Sequence, residues 1–197
     1  MVQGRAARHQ KKVSEEKATL VLIDEACFQL LPVRKRTLAP RGETPRLKAW
    51  DRRSKFSAIS AIMISRTCHR PGLLFTILPQ GENFTSDRVA IFLRKIRRRI
   101  PGPIHIIWDR ANIHRGPEVR KFLARAKGIQ THHFPAYAPE TNPVEGIWGH
   151  AKYHQMPNLV VPGATELSIA AETSLNEISR RPVLLSAFIQ HAWGPAA

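Results

Sequence analysis

The amino-acid sequence predicts an α/β protein in which a mixed sheet of five strands is flanked by helices. Three short apolar runs follow one another in the first 80 residues, which is typical of an antiparallel meander. After them, helical spacings of apolar residues alternate with two further apolar runs, which is typical of strands joined by helical crossovers. Because 43% of the 197 residues are hydrophobic, the chain can bury such a core without a disulfide or a structural metal.

The strand predictions come from apolar runs bounded by turn residues, and the helix predictions from apolar residues at i, i+3 and i+4. Strands are predicted at residues 19–23, 57–64, 73–78, 104–108 and 129–134. Helices are predicted at about 86–100, 117–126, 143–154, 165–180 and 183–192. This order of elements is ribonuclease-H-like, although several α/β folds share it.

The chain is expected to form one main domain with short additions at both ends. Residues 1–18 are polar and basic without a period, and predict a flexible or partly helical lead-in. Residues 19–160 predict the ribonuclease-H-like domain, in which residues 32–55, rich in Pro, Gly, Arg and Lys, form an extended loop or an edge hairpin. Residues 161–197 predict C-terminal helices that pack on the same domain.

Several classes of protein are excluded by composition. No apolar run approaches the roughly 18 residues that a membrane-spanning helix needs. The first 20 residues lack the apolar stretch of a secretory signal. The two cysteines, Cys27 and Cys68, form no C-x-x-C unit, so neither a disulfide scaffold nor a thiolate zinc site is expected. A reducing cytoplasm is the expected compartment.

The positive charge predicts a polyanionic partner. The net charge is +16, and residues 34–55 hold nine basic and two acidic side chains. Residues 85–130 hold twelve basic and three acidic side chains, whereas residues 156–197 hold two basic and three acidic ones. A nucleic acid is the simplest partner for such a distribution. The alternative is a chain made basic by genomic composition alone, since Arg greatly outnumbers Lys.

Two aspartates directly follow apolar runs. Asp24 follows TLVLI and Asp109 follows IHIIW. Chemistry in open α/β sheets collects at the carboxyl ends of strands, so the two side chains meet if their strands are parallel neighbours. Two carboxylates held close repel each other unless a cation or a proton intervenes. In a chain this basic an arginine could be that cation, whereas Mg²⁺ prefers carboxylates together with substrate phosphates. The alternative is that both aspartates only cap turns, where Asp is common.

A third acidic candidate, Glu145, has two interpretations. Asn142 resembles a helix N-cap and Pro143 the first helical residue, which puts Glu145 at the third helical position. In that arrangement the glutamate reaches back to the backbone N–H of the cap. On position alone, capping is favoured over a role in metal binding.

Four motifs resemble the catalytic domain of bacterial transposases of the insertion-sequence 630 group, within the mariner superfamily. The motifs are VLIDEACF (21–28), RTLAPRGETP (36–45), IIWDRANIHRG (106–116) and PAYAPETNPVEGIWGHAK (135–152). The resemblance runs from about residue 19 to the C-terminus. It implies an Asp, Asp, Glu triad at Asp24, Asp109 and Glu145, on a ribonuclease-H-like fold. Thirty-five residues separate Asp109 from Glu145, close to the spacing of the family.

The resemblance also implies a mechanism. The triad would hold two Mg²⁺ or Mn²⁺ ions roughly 4 Å apart for DNA strand cleavage and strand transfer during transposition. DNA would be the partner, with a separate helix-turn-helix chain and a second copy of this chain as further partners left open. The protein would be bacterial, cytoplasmic and nucleoid-associated when bound to DNA. The residues expected to contact DNA are Arg34, Lys35, Arg36, Arg41, Arg94, Lys95, Arg97, Arg98, Arg110, His114, Arg115 and Lys152.

The sequence also departs from the family pattern. Arg110 stands where many relatives have Asn, and it could pair with Asp109 in competition with metal. His114 matches a histidine usual in this motif, for which phosphate contact and packing are both open. Only about 18 residues precede the first strand, whereas full-length relatives carry helix-turn-helix modules there. The expectation is therefore the catalytic part of a split, degraded or truncated element.

Two alternative functions remain open from the sequence. One is a catalytically inactive DNA-binding remnant, and the other is a different ribonuclease-H-like nuclease. Glu25, next to Asp24, is not expected to bind metal, because successive strand residues point to opposite faces of a sheet.

Overall fold

The sheet has the mixed topology that the sequence predicts. The structure, a computed structural model, describes residues 17–47, 54–65, 70–135 and 138–194. The strands are β1 Thr19–Gln29, β2 Lys55–Ile64, β3 Gly72–Ile77, β4 Ile104–Trp108 and β5 Ile129–His133. Their order is β3-β2-β1-β4-β5, with β1 to β3 antiparallel and β4 and β5 parallel to β1. The predicted ribonuclease-H-like fold class is confirmed.

Five α-helices of the described residues flank the sheet. Four of them begin and end within two residues of the predicted bounds, and the helix that begins at Pro143 ends earlier than predicted. The five helices are α1 Ser86–Arg99, α2 Pro117–Arg125, α3 Pro143–His150, α4 Ala164–Ser179 and α5 Pro182–Trp193. A π-helical turn, Ala151–Gln155, continues α3 and completes the longer helix predicted there. Short 3-10 turns at Asn112–Arg115 and Pro139–Thr141 precede α2 and α3.

The main error in the predicted elements concerns β1. The apolar run predicts a strand that ends at residue 23, but β1 continues to Gln29. Its pairing with β4 ends at Leu22, whereas its antiparallel pairing with β2 continues to Gln29 opposite Lys55. The hydrogen bonds of β2 therefore hold the polar residues after Ile23 in the strand, so Asp24 lies within β1 and not after it.

The two faces of the sheet carry separate cores. Odd-numbered residues of β1, such as Val21 and Ile23, pack with α1 and α2. Even-numbered residues, such as Leu20 and Leu22, pack with α3, α4 and α5. This alternation assigns Asp24 to the α3 face and Glu25 to the α1–α2 face.

Helix α5 holds α3 against the sheet. A Cβ atom added to Gly146 would lie 2.9 Å from the ring of Phe188, so only glycine permits this approach of the two helices. The indole N–H of Trp193 donates to the carbonyl of Thr141, at 2.8 Å, just before α3 begins. Both contacts fix the position of the helix that carries Glu145.

Some expectations lie outside the described residues. These are the flexible lead-in at residues 1–16, residues 48–53 of the extended loop, and Cys68. Cys27 is described, and it is free and exposed. No helix in the described part of the chain has the length and apolar character needed to cross a bilayer.

Candidate active site

Three acidic residues from three different elements line one pocket. Asp24 comes from β1, Asp109 directly follows β4, and Glu145 lies in the first turn of α3. The pocket has a volume of about 380 Å³. It is also lined by Arg110, Ala111, Phe134, Pro135, Ala138, Pro139 and Asn142. The fold thus brings together the three residues that the sequence singles out.

Asp24 is the most strongly perturbed of the three. Burial raises the pKa of its carboxyl group, and the nearby carboxylates of Glu145, Glu25 and Asp109 raise it further, to about 8. The indole N–H of Trp148, in α3, donates to its Oδ2 at 3.1 Å and partly offsets this increase. Trp148 lies three residues after Glu145, so α3 presents both side chains on the same side.

Ser60 lies next to Asp24 across the β1–β2 ladder. Residues directly opposite each other in an antiparallel pair share a face of the sheet, so its side chain is on the α3 face as well. Ser60 is fully buried, and its hydroxyl finds no hydrogen-bond partner among the described residues. The crowded carboxyl group of Asp24 therefore has a buried, unsatisfied hydroxyl on the neighbouring strand.

Asp109 has the opposite electrostatics. A hydrogen bond from His114 lowers the pKa of its carboxyl group, and the backbone N–H of Ala111 lowers it further, although partial burial opposes both. The Oδ1 atom of Asp109 lies 2.8 Å from the Ala111 nitrogen and 3.0 Å from the Nδ1 atom of His114. Asp109 is therefore an ionised carboxylate fixed by two donors at one oxygen.

His114 links Asp109 to Glu25. Its ring stacks on Trp108 with 4.4 Å between centroids, and only 1% of its side chain is exposed. Its Nε2 atom lies 3.0 Å from Oε1 of Glu25. Burial alone would lower the pKa of His114, but hydrogen bonds to Asp109 and Glu25 raise it to about 9. With both nitrogens engaged and the side chain buried, the structure favours packing over phosphate contact for His114.

Glu25, His114 and Asp109 also form a cluster whose ligand atoms lie within 4.8 Å of one another, close enough to hold a metal ion. The ring, however, uses a different nitrogen for each carboxylate. A single ion cannot bind both nitrogens of one imidazole. The arrangement is therefore an imidazolium that forms ion pairs with two carboxylates, one at each ring nitrogen.

The helix cap predicted at Asn142 is present, but the capping role of Glu145 is not. The side-chain oxygen of Asn142 accepts from the backbone N–H of Val144 at 3.2 Å, and Pro143 is the first helical residue. The backbone N–H of Asn142 donates to the carbonyl of Pro139 at 2.9 Å, so it is not the partner of Glu145. Glu145 is exposed and lines the pocket.

Arg110 lines the pocket beside Asp109. Within the described ranges it makes no ion pair with Asp109, whose partners are His114 and Ala111. Arg115 is exposed, and its guanidinium donates to the carbonyl of Arg110 at 3.2 Å. The competition between Arg110 and metal for Asp109 is therefore absent from this arrangement.

The other basic residues predicted to contact DNA lie in two groups, at opposite ends of the parallel strands. Arg34, Lys35, Arg36 and Arg41 are exposed in the loop after β1, which begins at the edge where the pocket opens. Asn158 anchors this loop, since its side chain accepts from the backbone N–H of Lys35 and donates to its carbonyl, both at 2.9 Å. Lys152, after α3, lies 4.9 Å from the centre of the Phe28 ring.

The basic residues in the last turn of α1 lie far from the pocket. Helix α1 ends at Arg99 and β4 begins at Ile104, so the last turn of α1 lies where the parallel strands begin. Asp109 lies at the other end of β4, about 16 Å away for a five-residue strand. Arg97 donates to the carbonyl of Gly102, at 2.6 Å, and Lys95 to the hydroxyl of Thr76, at 3.1 Å. Arg94 and Arg98 are exposed.

Sequence reasoning missed two functional contacts, those of Trp148 with Asp24 and of Glu25 with His114. The partners are 124 and 89 residues apart in sequence, so no local pattern connects them. The alternation along β1 was the one available signal, because it predicts that Glu25 and Asp24 face opposite sides.

Comparisons with known proteins show the family and the fold of the chain. The model of the DDE superfamily endonuclease family matches residues 19–166. A search of curated protein sequences gave no significant match.

Among solved structures, the mariner Mos1 paired-end complex with Mg matches at a TM-score of 0.61, with 17% identity, over 97% of this chain and 59% of that one. The Mos1 strand transfer complex matches at a TM-score of 0.58, with 16% identity, over 100% of this chain and 60% of that one. The Mos1 transposase paired-end complex with the left transposon end matches at 0.55, with 16% identity, over 96% and 61%. The chain thus spans about three fifths of the proteins whose fold it shares.

Proposed function

The chain belongs to the DDE superfamily endonuclease family, and from this premise we propose that it is the catalytic domain of a transposase. In this proposal it cleaves and joins DNA strands with divalent metal ions held by Asp24, Asp109 and Glu145. The observation that carries the proposal is the convergence of these three carboxylates on one pocket.

The chemistry of the pocket fits a divalent cation. All three side chains offer carboxylate oxygens, which Mg²⁺ and Mn²⁺ prefer. The raised pKa of Asp24 reports carboxylates brought together in a buried place, where a cation would favour the ionised form. The unsatisfied hydroxyl of Ser60 beside it is a further polar group that has no partner within the described residues. Metal binding should therefore release a proton from Asp24.

The side chains have distinct tasks in strand cleavage. Two bound ions would activate the attacking water or DNA 3′-hydroxyl, and they would stabilise the leaving oxygen of an in-line displacement at phosphorus. Asp109 is held ionised by His114 and Ala111 before any ligand arrives. Glu145 projects from a helix fixed by α5, and Trp148 holds Oδ2 of Asp24. The protein therefore contributes positioning and electrostatics, and no side chain is needed as a covalent nucleophile.

DNA is the proposed substrate and partner. The similar solved structures are named as complexes with transposon ends or as a strand transfer complex. In this chain the net charge is +16, and the exposed arginines of the loop after β1 lie at the edge where the pocket opens. We assign phosphate contacts near the pocket to Arg34, Lys35, Arg36, Arg41, Arg110, Arg115 and Lys152. The cytoplasm and the nucleoid of a bacterium are the proposed location.

Cleavage of supercoiled plasmid tests the function. The chain should nick DNA in Mg²⁺ or Mn²⁺ and not in EDTA. Asp24→Asn, Asp109→Asn and Glu145→Gln should each lower the rate at least about 10²-fold, because each removes a ligand charge where the transition state is stabilised. Glu140→Gln is the matched control, since Glu140 lies just before α3 but outside the pocket lining.

Each other result points elsewhere. Full cleavage by Glu145→Gln would contradict the assigned triad. DNA binding without cleavage in either metal would indicate an inactive remnant. Faster cleavage of an RNA–DNA hybrid than of duplex DNA would indicate a ribonuclease-H-type nuclease.

The salt dependence of DNA binding tests separately the basic residues of the loop after β1 and those of α1. Affinity for duplex DNA should fall about 10³-fold between 50 and 200 mM salt if about six phosphates are neutralised. Replacing Arg34, Arg36 and Arg41 with Gln should flatten this dependence and slow cleavage. Replacing Arg94 and Arg98 should flatten it without slowing cleavage at saturating DNA, because α1 ends at the opposite edge. An unchanged slope in the second variant would show that α1 presents only a solvated surface.

A further inference from the structure

Two neighbouring residues of β1 serve the same pocket from opposite faces of the sheet. Asp24 lines the pocket directly, whereas Glu25 reaches His114 on the α1–α2 face. We propose that Glu25 is a positioning residue that fixes the orientation of Asp109 through His114. The inference rests on the proposed function, because it assigns Asp109 to metal binding.

The geometry at Asp109 shows what is fixed. Its Oδ1 atom accepts a hydrogen bond from the Ala111 backbone at 2.8 Å and forms an ion pair with Nδ1 of His114 at 3.0 Å. The same Nδ1 atom lies 3.3 Å from the main-chain carbonyl oxygen of Asp109. Its Oδ2 atom has no hydrogen-bond partner within the described ranges. Two donors on one oxygen restrict rotation of the carboxylate and leave Oδ2 available to a cation. Half of the side chain is exposed, at 54%, so packing alone does not hold it.

His114 needs a partner on its far side to hold this orientation. Stacking on Trp108 fixes the plane of the ring but not which edge faces Asp109. Glu25 supplies the second restraint, at 3.0 Å from Nε2. Because only 1% of the His114 side chain is exposed, bulk water cannot replace this bond, and its loss would leave a buried ring nitrogen unsatisfied.

Glutamine and alanine in place of Glu25 should differ. The side-chain amide that Glu25→Gln introduces can accept from a protonated Nε2 or donate to a bare one, and in both cases Nδ1 keeps its proton for Asp109. Glu25→Gln should therefore preserve the orientation, whereas Glu25→Ala should lose it. Loss of a group that orients a metal ligand typically weakens metal binding by about 10- to 100-fold. We expect the lower end of that range for Glu25→Ala and a value near wild type for Glu25→Gln.

Calorimetric titration of the full chain with Mn²⁺ measures this effect without DNA. His114→Ala should match Glu25→Ala, and the double variant should bind no more weakly than His114→Ala alone, because both act through one contact. Glu118→Gln is the matched control, since Glu118 lies in the first turn of α2, on the same face of the sheet. Glu25→Asp, which is one methylene shorter, replaces Glu25→Ala if the latter does not fold.

Nitrogen-15 NMR of the imidazole ring, recorded without metal, gives a second readout. In wild type, both His114 nitrogens should show hydrogen bonds. The Nδ1 signal should shift in Asp109→Asn and in Glu25→Ala, and much less in Glu25→Gln.

Three results would overturn the proposal. In the first, Glu25→Ala binds Mn²⁺ like wild type but melts at a lower temperature, which would show that the role of Glu25 is purely structural. The second is Glu25→Gln that loses as much affinity as Glu25→Ala, which would make Glu25 a ligand itself. The third is an Nδ1 signal that is the same in wild type and Glu25→Ala.

Failure of the proposed function would look different. Wild type would then neither bind Mn²⁺ nor cleave DNA, while the shift of the Nδ1 signal in Glu25→Ala would still support the link between Glu25 and Asp109.

Discussion

The two sides of the pocket differ in how they treat an aspartate. On the β1 side, burial and neighbouring carboxylates raise the pKa of Asp24 to about 8. On the β4 side, His114 and the Ala111 backbone hold the pKa of Asp109 below its ordinary value. In the metal-free protein near neutral pH, Asp24 is therefore mostly protonated and neutral, whereas Asp109 is ionised, although the two groups lie in one pocket.

The difference shows where the protein has supplied positive charge and where it has not. Asp109 has an imidazolium partner of its own, because the pKa of His114 is raised to about 9. Among the described residues, the side chain that donates to Asp24 is the neutral indole of Trp148. A cation that enters the pocket therefore gains most from the β1 side, where the folded protein otherwise disfavours the charged form of Asp24.

The largest expected effect is a change in the thermal stability of two isosteric variants, Asp24→Asn and Asp109→Asn, measured in EDTA. An unfolded Asp24 loses its proton near pH 3.8, whereas the folded group keeps it up to about pH 8, so this group makes the fold progressively less stable as the pH rises between those values. Asn is neutral at all pH values and can still accept from Trp148. Asp24→Asn should raise the melting temperature by at least about 4 °C at pH 8, and by almost nothing at pH 4.

Asp109→Asn should do the opposite. Because the pKa of Asp109 is lowered in the folded state, its ionised form stabilises the fold above the unfolded value of 3.8. This stabilisation is lost as the pH falls through the pKa of the folded state. The contribution of His114 is complete below pH 6.5 and is lost as the pH rises through about 9. Asp109→Asn should therefore lower the melting temperature most near pH 5 to 6. Calorimetric scans of both variants at pH 4, 6 and 8 give the signs, and equal signs would remove the distinction between the two sides.

Much of this site follows from the sequence because its parts are local. The runs TLVLI and IHIIW predict parallel strands whose aspartates lie near each other, and the spacing of apolar residues predicts every helix. The family resemblance favours Glu145 as a ligand over a cap, and the structure leaves the N–H of Asn142 to Pro139. The strand and helix inferences need only the neighbours of each residue along the chain, whereas position alone would have made Glu145 a cap.

The electrostatic asymmetry could not be predicted in the same way. It depends on Trp148 reaching Asp24 and on His114 reaching Glu25, contacts that exist only once α3 and the Asn112–Arg115 turn are packed on the sheet. The extension of β1 past Ile23 likewise depends on its register with β2. The sequence shows a basic face on α1, but the edge to which it belongs follows only from the direction of β4.

A smaller effect is expected on the β1 side when Trp148 is replaced. Trp148→Phe removes the donor to Oδ2 of Asp24, which should raise the pKa of Asp24 further and cost about 1 kcal/mol once the group is ionised. The loss should be larger at pH 9 than at pH 5, where the carboxyl group is protonated. The control is Trp193→Phe, which removes a similar bond to the carbonyl of Thr141. A carbonyl does not titrate, so thermal scans of the control should show a loss of stability that does not change between these pH values.

The smallest effect concerns the charge that Arg110 adds to the β4 side. Arg110 lines the pocket without pairing with Asp109, so it repels a divalent ion through space. In a water-like dielectric, a divalent ion and a single positive charge repel each other by about 1 kcal/mol at a separation of about 8 Å, which is about fivefold in affinity. Arg110→Asn should therefore tighten Mn²⁺ binding by about threefold to fivefold in 20 mM salt, measured by calorimetric titration.

The gain should nearly vanish in 1 M salt, where the screening length is about 3 Å. Arg115→Asn changes a nearby arginine that lies outside the lining of this pocket, and it should give a smaller gain at both salt concentrations. Affinity for duplex DNA should fall in Arg110→Asn even as affinity for Mn²⁺ rises, because the same charge attracts phosphate. Weaker Mn²⁺ binding by Arg110→Asn would mean that the guanidinium supports a ligand, and the β4 side would then owe its fixed carboxylate to more than His114 and Ala111.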